Sequence, residues 1–232
     1  MSKYRWILFD ADGTLFDYDR AEATALEETF RRFGYPFEPA YVDAYRQINS
    51  QIWRAFEQGR ITQERLRTRR FEQLFQIAGA ELDPAPFSAT YLKVLAAQTE
   101  LLDGAEAVVQ ALYGRVDLAL ITNGLMDVQR PRLARSALHG YFGAVIISEE
   151  VGSAKPHPEI FDTAFARMGH PPKETVLMVG DSLSSDIRGG LAYGLDTCWY
   201  NPAAQPKPAD LAITYEIGRL DELLEIVGVH ED

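Results

Sequence analysis

Trp6-Ile-Leu-Phe-Asp-Ala-Asp-Gly-Thr-Leu-Phe16 is the stretch on which the reading of this chain turns. Its apolar run, Trp6 to Phe9, stops at two carboxylates, Asp10 and Asp12, separated by a single alanine. A short apolar run bounded by turn residues predicts a buried strand. Carboxylates at its end then lie on the carboxyl edge of a sheet, where open α/β folds keep their chemistry. Gly13 and Thr14 follow and let the chain turn away.

Beyond this strand, helical spacing dominates. Leu26, Phe30 and Phe33 mark a helix within Asp17 to Phe33, and Tyr41, Tyr45, Ile48, Ile52 and Phe56 mark another from Ala40 to Gln58. Thr62 caps a third helix that runs to Ala78, and Phe87 to Gln98 supplies a fourth after the break Asp83-Pro-Ala-Pro86. After Gly104 the pattern changes. Val116–Thr122, Ala144–Ser148, Thr175–Gly180 and Leu195–Tyr200 read as buried strands, with a short one expected at Leu211–Thr214. Helical segments separate them: Ala105–Leu112, Pro131–Ala137, Pro158–Met168 and Asp186–Tyr193, with Asp221–Val227 at the end. Such alternation means βαβ units and a parallel sheet. The expected fold is α/β, a three-layer Rossmann-like parallel-sheet core (1–16 and 100–232) with an inserted all-helical cap domain (17–99). An insert of about eighty residues is a second domain rather than a loop.

Composition narrows the function. The net charge of -11 speaks against a nucleic-acid polymer or a membrane surface as partner, since both select positive surfaces. One cysteine, Cys198, excludes an intramolecular disulfide and a cysteine metal cluster. No stretch approaches the ~20 apolar residues of a membrane span, and no basic, then apolar leader opens the chain, so a cytoplasmic protein is expected. None of the four histidines has metal-ligand spacing.

Four features fall at carboxyl ends of the expected strands: Asp10-x-Asp12-Gly-Thr, Thr122-Asn123-Gly124, Lys155-Pro156, and Gly180-Asp181-Ser182 with Ser185-Asp186. Gathered in one crevice, they suit phosphoryl transfer assisted by a hard cation. A carboxylate can take a phosphoryl group as nucleophile, and Mg2+ (or Mn2+) offsets the repulsion between that carboxylate and the phosphate oxygens. Asp10 is expected as nucleophile, and Asp12 as the acid that protonates the leaving oxygen and then activates water. Asp10, Asp12 and Asp181 are the expected metal ligands, with Asp186 and Ser182 behind them. Lys155, Thr122 and Asn123 are expected to hold the phosphate.

These motifs, in this order, resemble those of the haloacid dehalogenase-like hydrolase superfamily, and the helical insert resembles its cap placed between the first and second motifs. Ile147-Ser-Glu-Glu-Val-Gly-Ser-Ala-Lys-Pro156, Val176-Leu-Met-Val-Gly-Asp181, Gly59-x-Ile-Thr62 and Arg70-Phe71 are similar to its noncanonical pyrimidine 5'-nucleotidase branch. The resemblance implies a Mg2+-dependent phosphomonoesterase acting on a small-molecule phosphate monoester such as UMP, dUMP or dTMP; a monomer or weak dimer is expected. In the cap, Arg65, Arg67, Arg69 and Arg70 read as a solvated helix face, while the match of Arg70 to this branch implies a substrate-contact or cap-closure role. Asn49 and Trp53 are further candidates to line the crevice, Trp53 with a ring able to stack on a base.

Other readings remain. A phosphatase of a sugar phosphate, phosphoglycolate or acylneuraminate phosphate, or a phosphomutase, would use the same motifs. A catalytically silent binding module would be expected to have lost Asp10, Asp12, Lys155 or Asp181, and all four are present. Gly180-Asp-Ser-Leu183 also spells a serine-esterase signature, but it comes late in the chain, and Val227 stands where that family has an aspartate, three residues before His230.

Overall fold

Trp6–Phe9 forms strand β1 and is the third strand of a six-stranded, wholly parallel sheet in a computed structural model that describes residues 3–229. The others are β2 (Asp117–Thr122), β3 (Ala144–Ile147), β4 (Val176–Gly180), β5 (Asp196–Tyr200) and β6 (Tyr215–Ile217). They are ordered β3-β2-β1-β4-β5-β6. β1 lies between β2, with Phe9 opposite Leu120, and β4, with Phe9 opposite Val179. The order reverses at β1, which makes its carboxyl end the switch point at which such sheets hold ligands.

Side chains alternate across the sheet as the pleat requires. Ile7, Phe9, Leu120 and Val179 face one apolar layer with helix residues Val108, Val109 and Leu223. Leu8, Ile121 and Met178 face the other, against Ile160, Phe161 and Phe165. Helices cover both faces, so the strands read as continuous apolar runs. This is the three-layer core expected from the sequence.

The chain divides into two compact units, Met1–Tyr18 with Thr99–Asp232, and Asp19–Gln98. The first leaves the sheet and returns to it through paired segments. Phe16 bridges Leu101 antiparallel, Leu102 N–H donates to Leu15 O (2.9 Å), and Asp17 N–H donates to Glu100 O (3.1 Å).

The second unit holds four helices, α1 (Tyr18–Arg32, whose first residue falls in the other unit), α2 (Ala40–Glu57), α3 (Gln63–Ala78) and α4 (Pro84–Leu95). Its core is aromatic: Phe87 lies 5.0 Å from Phe30 and 4.9 Å from Phe75, ring centre to ring centre. Thr62 caps α3 as expected, its hydroxyl accepting from Arg65 N–H. Asp83-Pro-Ala-Pro86, expected as a break, instead opens α4. Asp83 accepts from Ala85 N–H (3.0 Å), and a proline in the first turn gives up no intrahelical bond.

The sheet unit continues with α5 (Ala105–Leu112), α6 (Met126–Arg135), α7 (Ser148–Val151), α8 (Pro158–Arg167), α9 (Arg188–Tyr193) and α10 (Glu222–Val227). Two segments depart from expectation. The sixth strand is Tyr215–Ile217, not Leu211–Thr214, because Leu211 and Ile213 are drawn into a cluster with Trp199 and Ile187. Helix α6 starts at Met126 and carries Pro131 inside it rather than beginning there. Among the described residues no helix is long and apolar enough to cross a membrane.

Gly180 ends β4 where any side chain would collide: a Cβ there would lie 2.3–2.5 Å from Asp186. Asp186 is fully buried and ion-paired, so it cannot step aside. Gly180→Ala is expected to destabilise by about 1–3 kcal/mol, a melting-temperature loss of several degrees. Gly143→Ala, whose Cβ would meet nothing closer than 3.7 Å, should leave the melting temperature nearly unchanged and serves as the control.

Candidate active site

Asp10 follows β1 directly, and its N–H donates to Val179 O (2.9 Å), so the strand ladder fixes its backbone. Its side chain is buried, with Oδ1 accepting from Lys155 Nζ at 2.5 Å. The same ammonium reaches Asp186 Oδ1 at 2.7 Å and Ile121 O at 2.8 Å. Lys155 is thus a fully buried cation with two carboxylates and a carbonyl, a satisfied arrangement for three N–H donors.

Burial raises the Asp10 carboxyl well above the ordinary carboxylate range, against the pull of Lys155 and with a push from Asp186 and Asp181. The Asp181 carboxyl is pushed up to about 7, by burial first and the Asp186 charge next. For Lys155, burial alone would lower the ammonium; Asp10 and Asp186 together reverse that and raise it.

Asp181 is tied to the β1 loop by Thr14. Its N–H donates to Thr14 Oγ1 (3.1 Å), and that hydroxyl reaches Asp181 Oδ1 (3.3 Å). Trp199 Nε1–H donates to Asp181 O (2.9 Å). Gly13, at φ +84°, is bare where a Cβ would fall 2.8 Å from Asp181 Oδ2, so the two loops can meet only through a glycine.

Asp10, Asp181 and Asp186 each bring an oxygen within 4.8 Å of the others. This all-oxygen, multiply anionic donor set suits a hard divalent cation such as Mg2+. Asp186, expected behind the ligands, is part of the group, while the carboxylate of Asp12, expected among them, stands apart. Its Oδ2 accepts from Gln129 Nε2 (2.6 Å) and its Oδ1 from Arg132 Nη2, so the side chain is held by α6.

The remaining expected residues sort by what they touch. Thr122 is buried at the end of β2. The Asn123 side chain, expected on phosphate, is instead occupied by the neighbouring loop: Nδ2 donates to Lys155 O (2.8 Å) and Oδ1 accepts from Lys155 N–H (2.7 Å). It holds the backbone that presents the lysine. Ser182 caps the wide turn Leu183–Ile187, accepting from Ser185 N–H (3.3 Å), and donates its own N–H to Asp186 Oδ2 (3.0 Å).

In the helical unit, Arg70 is only 2% exposed. Its Nη1 donates to Asn49 Oδ1 (3.1 Å), Asn49 donates to Glu22 (3.2 Å), and the guanidinium lies over the Phe71 and Tyr91 rings. The expected solvated arginine face of α3 therefore excludes Arg70. Trp53 is half-buried, edge-on to Phe56. His230, part of the esterase comparison, lies outside the described residues.

Sequence reasoning missed Thr14, Gln129, Arg132 and Trp199. Only Thr14 had a local signal, its place in Asp-x-Asp-Gly-Thr.

A buried carboxylate held by an ammonium, an acidic group beside it and a second carboxylate two residues on thus lie together at the switch point of a parallel α/β sheet. The sequence model of the haloacid dehalogenase-like hydrolase family matches residues 4–194, and the chain belongs to that family. It is 38% identical over 229 residues to YfnB of Bacillus subtilis, a protein named as a HAD-hydrolase with no substrate stated; the match spans 99% of this chain and 97% of that one. The crystal structure of YfnB bound to magnesium superposes with a TM-score of 0.92, over 97% of this chain and 99% of that one. Two pyrimidine 5'-nucleotidases are comparably similar. YjjG of Escherichia coli is 36% identical (98% of this chain, 100% of that one), and PynA of Streptococcus pneumoniae is 37% identical (96% and 94%). Such relatives indicate a phosphatase.

The raised Asp181 carboxyl fixes a sign. A carboxyl whose pKa is higher folded than unfolded contributes stability at low pH that is lost as pH rises through the folded value. In EDTA the melting temperature is therefore expected to fall between about pH 4 and pH 7 through this group, and saturating Mg2+ should flatten the fall by taking the proton's place. Calorimetric titration should show Mg2+ binding tightening as pH rises toward 7.

Proposed function

We propose that this chain is a Mg2+-dependent phosphomonoester hydrolase that works through an aspartyl phosphate on Asp10, with pyrimidine nucleoside 5'-monophosphates as its substrates. The observation that carries the mechanism is the division of labour between two nearby carboxylates. Asp10 is buried against Lys155 and the acidic group, and Asp12 stands outside that group. Asp10 Oδ1 is bound to Lys155, which leaves Oδ2 for phosphorus.

In the first half-reaction Asp10 attacks phosphorus, the bond to the leaving oxygen breaks, and Asp12 gives that oxygen a proton. In the second, Asp12 takes a proton from water, the water oxygen attacks phosphorus, and Asp10 is released with inorganic phosphate. Thr122 and the loop N–H groups hold the non-bridging oxygens, while Lys155 keeps Asp10 oriented. Asp10, Asp181 and Asp186 would hold Mg2+, which when bound offsets the negative charge of phosphate and nucleophile.

Support for the substrate class comes from YjjG and PynA, pyrimidine 5'-nucleotidases that match this chain nearly end to end. The cap selects the leaving nucleoside, with Trp53 offering a ring for the base and Arg70 and Asn49 setting the cap's polar interior. A small soluble monoester as substrate suits a cytoplasmic enzyme, active as a monomer or weak dimer.

Phosphate release measured across nucleoside monophosphates, phosphoglycolate and sugar phosphates is expected to be fastest for the pyrimidine nucleotides. Equal or better turnover of phosphoglycolate or a sugar phosphate would remove the nucleotidase assignment and spare the mechanism. Asp10→Asn is expected to lower kcat by at least about 10³-fold, as loss of a nucleophile does; unchanged activity would overturn the mechanism.

A further inference from the structure

Helix α6 plays no part in the chemistry described above, yet it supplies both partners of the Asp12 carboxylate. Gln129 and Arg132 are three residues apart, hence neighbours on one helix face, and each takes one oxygen of Asp12. Arg132 is fully buried and Gln129 nearly so. The guanidinium lies on the Phe16 ring at 4.3 Å, and its Nε and Nη1 meet no hydrogen-bond acceptor among the described residues. Among the described residues its charge is therefore answered by Asp12 alone. A buried cation with one carboxylate partner is a poor stabilising device, since apolar replacements of such pairs often fold as well or better. Its retention calls for another reason.

The surrounding backbone is shaped for this clamp. Gly124 has no side chain where a Cβ would fall 2.8 Å from Gln129 Cγ and Nε2, so the turn after β2 leaves the glutamine its path to Asp12. The far side of the Asp12 loop is closed by Gly13 N–H donating to Phe16 O (3.1 Å).

We propose that Gln129 and Arg132 are positioning residues for Asp12, fixing the rotamer of the group that moves the proton in both half-reactions. The proposal rests on the aspartyl-phosphate mechanism above. A proton carrier serving a leaving oxygen and then a water at the same place gains from being held there, because a displacement of about 1 Å costs on the order of 10²-fold in rate.

The test compares the wild type with Arg132→Met, Gln129→Leu and the milder Arg132→Lys and Gly124→Ala, each checked by its melting curve. Substrates are a pyrimidine nucleoside monophosphate, whose leaving oxygen needs a proton, and p-nitrophenyl phosphate, whose leaving group does not. Arg132→Met and Gln129→Leu are expected to lower kcat on the nucleotide by about 10²-fold with KM little changed. On p-nitrophenyl phosphate they should give a burst of nitrophenol at near wild-type rate and then slow turnover, with a hydroxylamine-labile phosphoenzyme accumulating. Arg132→Lys and Gly124→Ala should fall between these and the wild type. A burst slowed as much as kcat, or kinetics like the wild type in all four variants, would overturn the proposal. Asp12→Asn separates the two levels. If it accumulates phosphoenzyme while the clamp variants behave as wild type, only the clamp is wrong; if it accumulates none, the aspartyl-phosphate mechanism fails and takes the clamp with it.

Discussion

Everything at this site depends on keeping a lysine charged where water does not reach. Burial works against the Lys155 ammonium, and only the joint attraction of Asp10 and Asp186 reverses it. The same burial pushes Asp10 upward against the lysine's pull. None of the three groups is tolerable alone in a low-dielectric interior. Together the ammonium and the two carboxylates offset most of one another's burial cost and, when ionised, leave one net negative charge. The parallel sheet brings the cluster together by ending β1 and β4 side by side, with the lysine delivered by the loop between α7 and α8.

The loops need separate support, because strand ladders end before the chemistry begins. Asn123 stitches the turn after β2 to the lysine backbone, Thr14 stitches the β1 loop to Asp181, and Ser182 with Asp186 closes the turn after β4. Two glycines make these approaches possible by omission, Gly13 beside Asp181 and Gly180 beside Asp186. Rigid support of this kind pre-organises a site. It is also why an asparagine in the motif need not touch phosphate to matter.

The legible part of this molecule was the part written in short range. Apolar runs ending in Asp, Thr or Gly marked β1, β2 and β4, and the switch-point rule converted strand ends into one site. Signals that depend on long-range partners did not survive in the sequence. Gln129 and Arg132 lie on a helix whose polar residues look like any solvated face, and Pro131 between them drew the expected helix start past Gln129. Arg70 sits in a run of four arginines, and only its helical spacing from Leu66 turns it inward. Leu211 and Ile213 have strand-like alternation, but packing on Trp199 claims them and passes the ladder to Tyr215–Ile217.

The return of the chain beside its own point of departure has a consequence for how such a molecule can diversify. Because Leu15 to Asp17 pair with Glu100 to Leu102, a short antiparallel bridge outside the sheet closes the excursion at its base, whatever lies between. Closing a longer or shorter excursion changes the entropy only logarithmically. The intervening helices are therefore a cassette: their surface can be rewritten, or the whole segment exchanged, without moving the carboxylate six residues upstream of the junction's bridge at Phe16. Selectivity and chemistry can then evolve at separate rates within one chain.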